Sequence, residues 1–141
     1  MKITLSLVAL AIVCLAAVFL PTWRVFWSFD HLEQHARKAI TASELQTWAT
    51  NLLSQYPSNA TASVWPSKLG TNFPNQLLKL YHRPPNIFIF GPTADWPVPH
   101  LSVTWGGGFI GHTGFEVGPT NFPGWRATNT WAPGVYFFKH P

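Results

Sequence analysis

The chain has 141 residues, room for one small domain and a short anchor. Only 10% of residues are charged, against about a quarter in ordinary soluble domains, while eight tryptophans and 16% aromatics overall exclude an intrinsically disordered chain. The net charge is +4, yet from Asp30 onward seven Lys/Arg meet five Asp/Glu with no basic run, which excludes a nucleic-acid-binding surface, and the single cysteine, Cys14, excludes internal disulfides and paired-cysteine metal sites.

Ile3 to Leu20 is a run of eighteen residues without a charge. As a helix it reaches roughly 27 Å at 1.5 Å per residue, close to the hydrocarbon thickness of a bilayer. Trp23, Phe26, Trp27 and Phe29 follow around Arg24, the composition of an interfacial aromatic belt with a snorkelling cation. A cleaved signal peptide fits less well, because the only Ala-x-Ala, Ala9-Leu10-Ala11, lies inside the apolar run. A lipoprotein site at Cys14 would need a small residue where Val13 stands. The expectation is an uncleaved single-pass signal-anchor over residues 1–29, with residues 30–141 forming a domain outside the cytoplasm.

Two helix starts follow. Asp30 and Glu33 have capping-box spacing, and Thr41 and Glu44 repeat it with Ile40 and Leu45 at the positions of a hydrophobic staple. The second helix carries Leu45, Trp48, Ala49, Leu52, Leu53 and Tyr56 on one face and ends before Pro57. Ser58 to Asn72 reads as loop and contains a formal glycosylation sequon at Asn59. A short helix is expected over Pro74 to Tyr81, packing Leu77, Leu78 and Leu80.

The remainder is β-like. Ile87 to Phe90 is apolar on both faces and suits a buried strand. Leu101 to Trp105 and His112 to Val117 alternate as half-buried strands; "WRATNTW", Trp125 to Trp131, is a weaker strand and Val135 to Phe138 a stronger one. The fold class expected is α+β, with one or two amphipathic helices packed on an antiparallel meander of three to five strands.

Between the second and third of these strands lies the glycine patch "WGGGFIGHTGFEVG", Trp105 to Gly118. A phosphate loop would need a Gly-Lys-Ser/Thr ending, and no lysine stands between Arg83 and Lys139. Gly106, Gly108 and Gly111 spell a dinucleotide fingerprint, but a strand pattern follows where a helix is required. An oxyanion loop would need a G-x-S-x-G elbow elsewhere, and there is none. A hairpin bend is expected.

Few residues suggest chemistry. His31 and His35 share a helix face, but the zinc-protease order H-E-x-x-H is absent because Glu33 falls one place late. His112 and Glu116 share one strand face, beside Ser102 and Thr104 if those strands pair, with Asp95, His100 and Arg126 available from loops. That set is an acid–base set, a weak metal site or simply the solvated face of a sheet, and the last is the expectation. Trp65, Trp96, Trp105, Trp125 and Trp131 are either core or, at Trp96, Trp125 and Trp131, aromatic planes for a sugar ring. No cofactor or metal is expected. Taken together the residues favour a non-catalytic interaction or structural module tethered in the cell envelope. Glycan binding through exposed tryptophans is one alternative, and a small hydrolase centred on His112 and Glu116 is another.

Overall fold

The computed structural model describes residues 12–17, 31–56, 61–81, 83–94, 97–106, 111–124 and 127–140. Met1–His31 forms one compact unit and Leu32–Pro141 another. Residues 12–17 are helical, with Ile12, Val13 and Leu15 exposed. Among the described residues no helix is long and apolar enough to cross a membrane. The expected span over Ile3 to Leu20 is therefore not supported here, its other residues lying outside the described ones, as do the aromatic belt and the Asp30 cap.

Helix α1 covers residues 31–39. Its apolar side, Leu32 and Ala36, is buried together with Ile40 just beyond. On its polar side the Glu33 carboxylate accepts from Arg37 Nε and Nη2 at 3.0 and 2.8 Å, and from Asn129 Nδ2 at 2.7 and 2.9 Å. The Glu33 that failed the zinc-protease pattern is thus a structural tie from α1 to the distant Asn129.

Helix α2, Ala42–Leu53, begins at the capping box the spacing predicts. Glu44 N–H donates to Thr41 Oγ1 at 3.2 Å, while Thr41 N–H and Oγ1–H donate to Glu44 Oε2 at 2.8 and 2.7 Å. The backbone bond from Thr41, and then its hydroxyl, hold the Glu44 carboxyl below its ordinary value of 4.5. A depressed folded value means that the cap stabilises fully above about pH 4.5 and loses its effect as pH falls through the lower folded value. Thr41→Ala is expected to cost about 1 kcal/mol in urea unfolding. It should also remove the hydroxyl's part of the Glu44 shift, which an NMR titration of the carboxyl reads directly. Leu45, Trp48, Ala49 and Leu52 are buried, whereas Leu53 and Tyr56 are only half-buried, and the helix stops at Ser54 rather than at Pro57.

The stretch expected as loop, residues 58–72, instead contains strand β1, Thr61–Val64, helix α3, Pro66–Leu69, and a 3-10 turn over Gly70–Asn72. Asn59 lies outside the described residues. The next helix, α4, is shorter than expected, Asn75–Leu78, with Pro74 at its N-cap. Leu77 is buried, but Leu78 is exposed.

Strands β2, Asn86–Phe90, β3, His100–Gly106, β4, His112–Val117, β5, Asn129–Ala132, and β6, Val135–His140, complete one antiparallel sheet in the order β1-β2-β3-β4-β6-β5. Six strands replace the expected three to five, because β1 adds an edge that its short, weakly apolar "TASV" does not advertise. The sheet is not a plain meander either. The chain leaves β4, passes beyond β6 to lay down β5 at the outer edge, and returns through the Pro133-Gly134 turn to pair β6 with β4. Gly134 has φ +81°, and a Cβ there would collide with the Pro119 carbonyl. Both carbonyls of this turn accept hydrogen bonds: Gly118 N–H donates to Gly134 O at 2.9 Å, and Gln46 Nε2 of α2 donates to Pro133 O at 2.7 Å.

The register sorts the residues onto two faces. Ile87, Val103, Phe115 and Phe137 form one row, and Ile89, Leu101, Val117 and Val135 the next. All eight are buried, and α2 lies on β3 and β4. Phe88 and Phe90 point the other way and are half-buried, so β2 is apolar on both faces but sealed on one. The β3–β4 link confirms the hairpin reading of the glycine patch. Gly106 pairs with His112, and Gly106 and Gly111 take φ +94° and +77°, while 107–110 lie outside the described residues.

Candidate functional site

The second face of the sheet gathers most of the residues singled out for chemistry. Phe88, Ser102, Glu116 and Tyr136 form one row across β2, β3, β4 and β6. Thr104, Gly114 and Phe138 form the row beside it, and Gly106, His112 and His140 the row at the end of the strands. The expectation that Ser102 and Thr104 flank the His112–Glu116 face is therefore met, with Ser102 directly opposite Glu116.

That face is not solvated, which corrects the half-buried assignment of β3 and β4. His100, Ser102, Thr104 and Glu116 are all buried, Glu116 to 1% exposure. At the His100 end of the face, cover comes from a segment that alternation within the strands cannot reveal. After β4 the chain turns at Pro119, and Phe122 folds back over the sheet. Its ring stacks on His100 at 4.5 Å, His100 stacks in turn on Phe90 at 4.9 Å, and Tyr136 meets Phe122 edge-on at 5.9 Å. Tyr136 Oη donates to Phe122 O at 2.9 Å and fixes the flap. Ser102 and Thr104 share a hydrogen bond of 3.2 Å. His100 Nδ1 lies 3.3 Å from Val98 O.

His112 and Glu116 share a face without sharing a site. Four residues along a strand separate them by about 13 Å. Gly114 stands between them, and the Phe138 ring fills the space over it, its Cζ 3.0 Å from where a Gly114 Cβ would lie. No proton can pass directly between groups so placed. Asp95 and Arg126, the loop candidates, lie outside the described residues. Among the described residues no three His, Cys, Asp or Glu side chains converge as metal ligands.

Of the tryptophans proposed for sugar stacking, Trp96 and Trp125 lie outside the described residues. Trp131 is half-buried and engaged: its ring stacks on Phe137 at 5.2 Å, and the Arg37 guanidinium lies 5.5 Å from its centre and 5.3 Å from that of Phe137. Arg37 also donates to Thr130 O at 3.2 Å. Trp131 therefore fastens α1 to the β5–β6 hairpin. Trp105 is core, 1% exposed. Trp65, which follows the edge strand β1, is 53% exposed.

An open groove of about 700 Å3 runs between α2 and residues 72–74, lined by Glu44, Thr47, Trp48, Asn51 and Phe73 among others. Its one carboxylate, Glu44, is committed to the Thr41 cap, and Trp48 packs edge-on to Phe73 at 5.5 Å.

The missed residue of interest is His140. Alternation along β6 puts Tyr136, Phe138 and His140 on one face, but only the β4–β6 register brings His140 beside His112.

Comparison with protein-family models, with curated proteins and with solved structures finds nothing that matches this chain.

Proposed function

We propose that this chain is a non-catalytic interaction module of the cell envelope, held at a membrane by its apolar N-terminal run with residues 30–141 outside the cytoplasm. Its partner is an extended protein segment received along the β1 edge of the sheet. The observation that carries this is Trp65, 53% exposed at the end of a strand whose outer edge pairs with no other described strand. A free edge offers backbone donors and acceptors to an incoming strand, and a neighbouring aromatic supplies an apolar anchor. β1 also lacks the lysines and prolines that protect edges from such pairing. The separation of His112 from Glu116 removes the support for a hydrolase, and the engagement of Trp131 leaves the glycan alternative without its described ring. Ile3 to Leu20 with its aromatic flank supports the membrane anchor, and the low charge density supports a membrane and protein partner over a nucleic acid.

The test is photocrosslinking in cells that express the full chain, with a benzophenone amino acid in turn at positions 63, 65 and, as a control on α2, 47. A discrete protein adduct from 63 and 65 but not 47, lost from position 63 when Trp65→Ala is added, is the expected result. Adducts absent at 63 and 65, or equal at 47, overturn the β1 assignment, and adducts that digest with glycosidases rather than proteases favour a glycan.

A further inference from the structure

The geometry points to a second, unrelated feature: His112 and His140 form a two-histidine site for a divalent transition-metal ion such as Zn2+, at the end of β4 and β6. The two residues are directly paired across antiparallel strands, so both side chains leave the same face from adjacent backbone positions. Their ring centroids are 6.2 Å apart, with planes at 66°. Two imidazoles on one tetrahedral ion, with Zn–N bonds of about 2.0–2.1 Å, hold their centroids roughly 5 Å apart. An approach of about 1 Å therefore completes the chelate, within reach of a χ rotation, since His140 is exposed and His112 only half-buried.

The described neighbours leave the ion room. The third member of the row is Gly106, which presents no side chain beside His112. Among the described residues nothing else ligates there, so the ion's remaining coordination positions would be taken by water or an added ligand, as in sites that keep exchangeable positions. On the other side, Phe138 packs 5.7 Å from His140 and limits the directions its ring can take. The sheet fixes the two backbone positions, so binding orders only the side-chain torsions, which lowers the cost of forming a two-ligand site. The pair His31 and His35 on α1 offers the natural comparison within the same chain, because helical i, i+4 spacing is the other arrangement that brings two imidazoles together.

Zn2+ alone, titrated into the full chain and followed through the histidine ring resonances, tests the site. Saturable shifts at His112 and His140 with one ion per chain are expected. His140→Ala, an exposed substitution that spares the core, and His112→Ala should each weaken binding at least as much as loss of an outer-shell partner does, about 10–100-fold. His31→Ala and His35→Ala should leave the affinity unchanged. Shifts confined to His31 and His35, or an affinity indifferent to His140→Ala, overturn the assignment. If His112→Ala disturbs folding, the His140→Ala result decides.

Discussion

Gly114→Ala is expected to destabilise the domain by about 3 kcal/mol or more. Gly114 sits in β4 at the middle of the sheet, opposite Thr104 of β3. A Cβ at this position would run into the carbonyl oxygen of Val103 and meet Phe138 Cζ at 3.0 Å. The first obstacle is backbone and cannot rotate away, so relief requires β3 and β4 to separate where the sheet is most tightly paired. Overpacking of a core by a methyl group usually costs about 1–3 kcal/mol. A collision with a central strand's backbone places this variant at or above the top of that range. Against a total stability of about 5–15 kcal/mol for a domain of this size, that is a large fraction of what holds the fold. Urea unfolding followed by tryptophan fluorescence is the check, and an unfolding free energy within about 1 kcal/mol of the parent would show that the two strands are less closely apposed than described.

Trp105 provides a paired expectation. The ring is 1% exposed, packs against Phe115 at 5.6 Å and lies on the helix-covered face of β3. Its indole Nε1 is buried and has no hydrogen-bond partner among the described residues. Trp105→Ala should cost about 3–5 kcal/mol, the usual loss for emptying a large aromatic site. Trp105→Phe should cost far less, under about 1.5 kcal/mol, because the area it gives up is offset by removing a donor whose burial is itself unfavourable by about 1–3 kcal/mol. Equal losses for the two variants would mean that the indole N–H has an acceptor and that its polarity is used. Both are read from the same denaturation series.

How far the sequence revealed this fold depends on how local each determinant is. The Thr41–Glu44 box is written within four residues and is found as predicted. His112–Val117 was legible to its boundaries because alternation continues unbroken between two glycines, and the glycine patch was legible as a bend because every alternative lacked its companion residues. β1 was not legible, since Thr-Ala-Ser-Val acquires strand character from pairing with Ile87 to Phe90 rather than from its own side chains. The placement of β5 outside β6 is a matter of long-range pairing with no local signature. The same distinction governs the candidate site. Alternation correctly put Ser102, Thr104, His112 and Glu116 on one face. It could not show that Phe122 folds over part of that face, that Phe138 stands between His112 and Glu116, or that His140 arrives beside His112. Sharing a face is a property of the strand, whereas burial and reach belong to the tertiary structure.

The central claim is that the buried polar residues of the second sheet face, Ser102, Thr104 and Glu116, are members of the fold rather than parts of an acid–base site. Thermal unfolding of Glu116→Ala tests it most directly, because Glu116 is the carboxylate of the His112–Glu116 reading and is only 1% exposed. A structural carboxylate removed from the interior leaves its neighbours unsatisfied and should cost roughly 2–4 kcal/mol. For a domain of about 110 residues that lowers Tm by roughly 8–20 °C. An unchanged or raised Tm, the behaviour of a residue kept for function at the expense of stability, would contradict the claim.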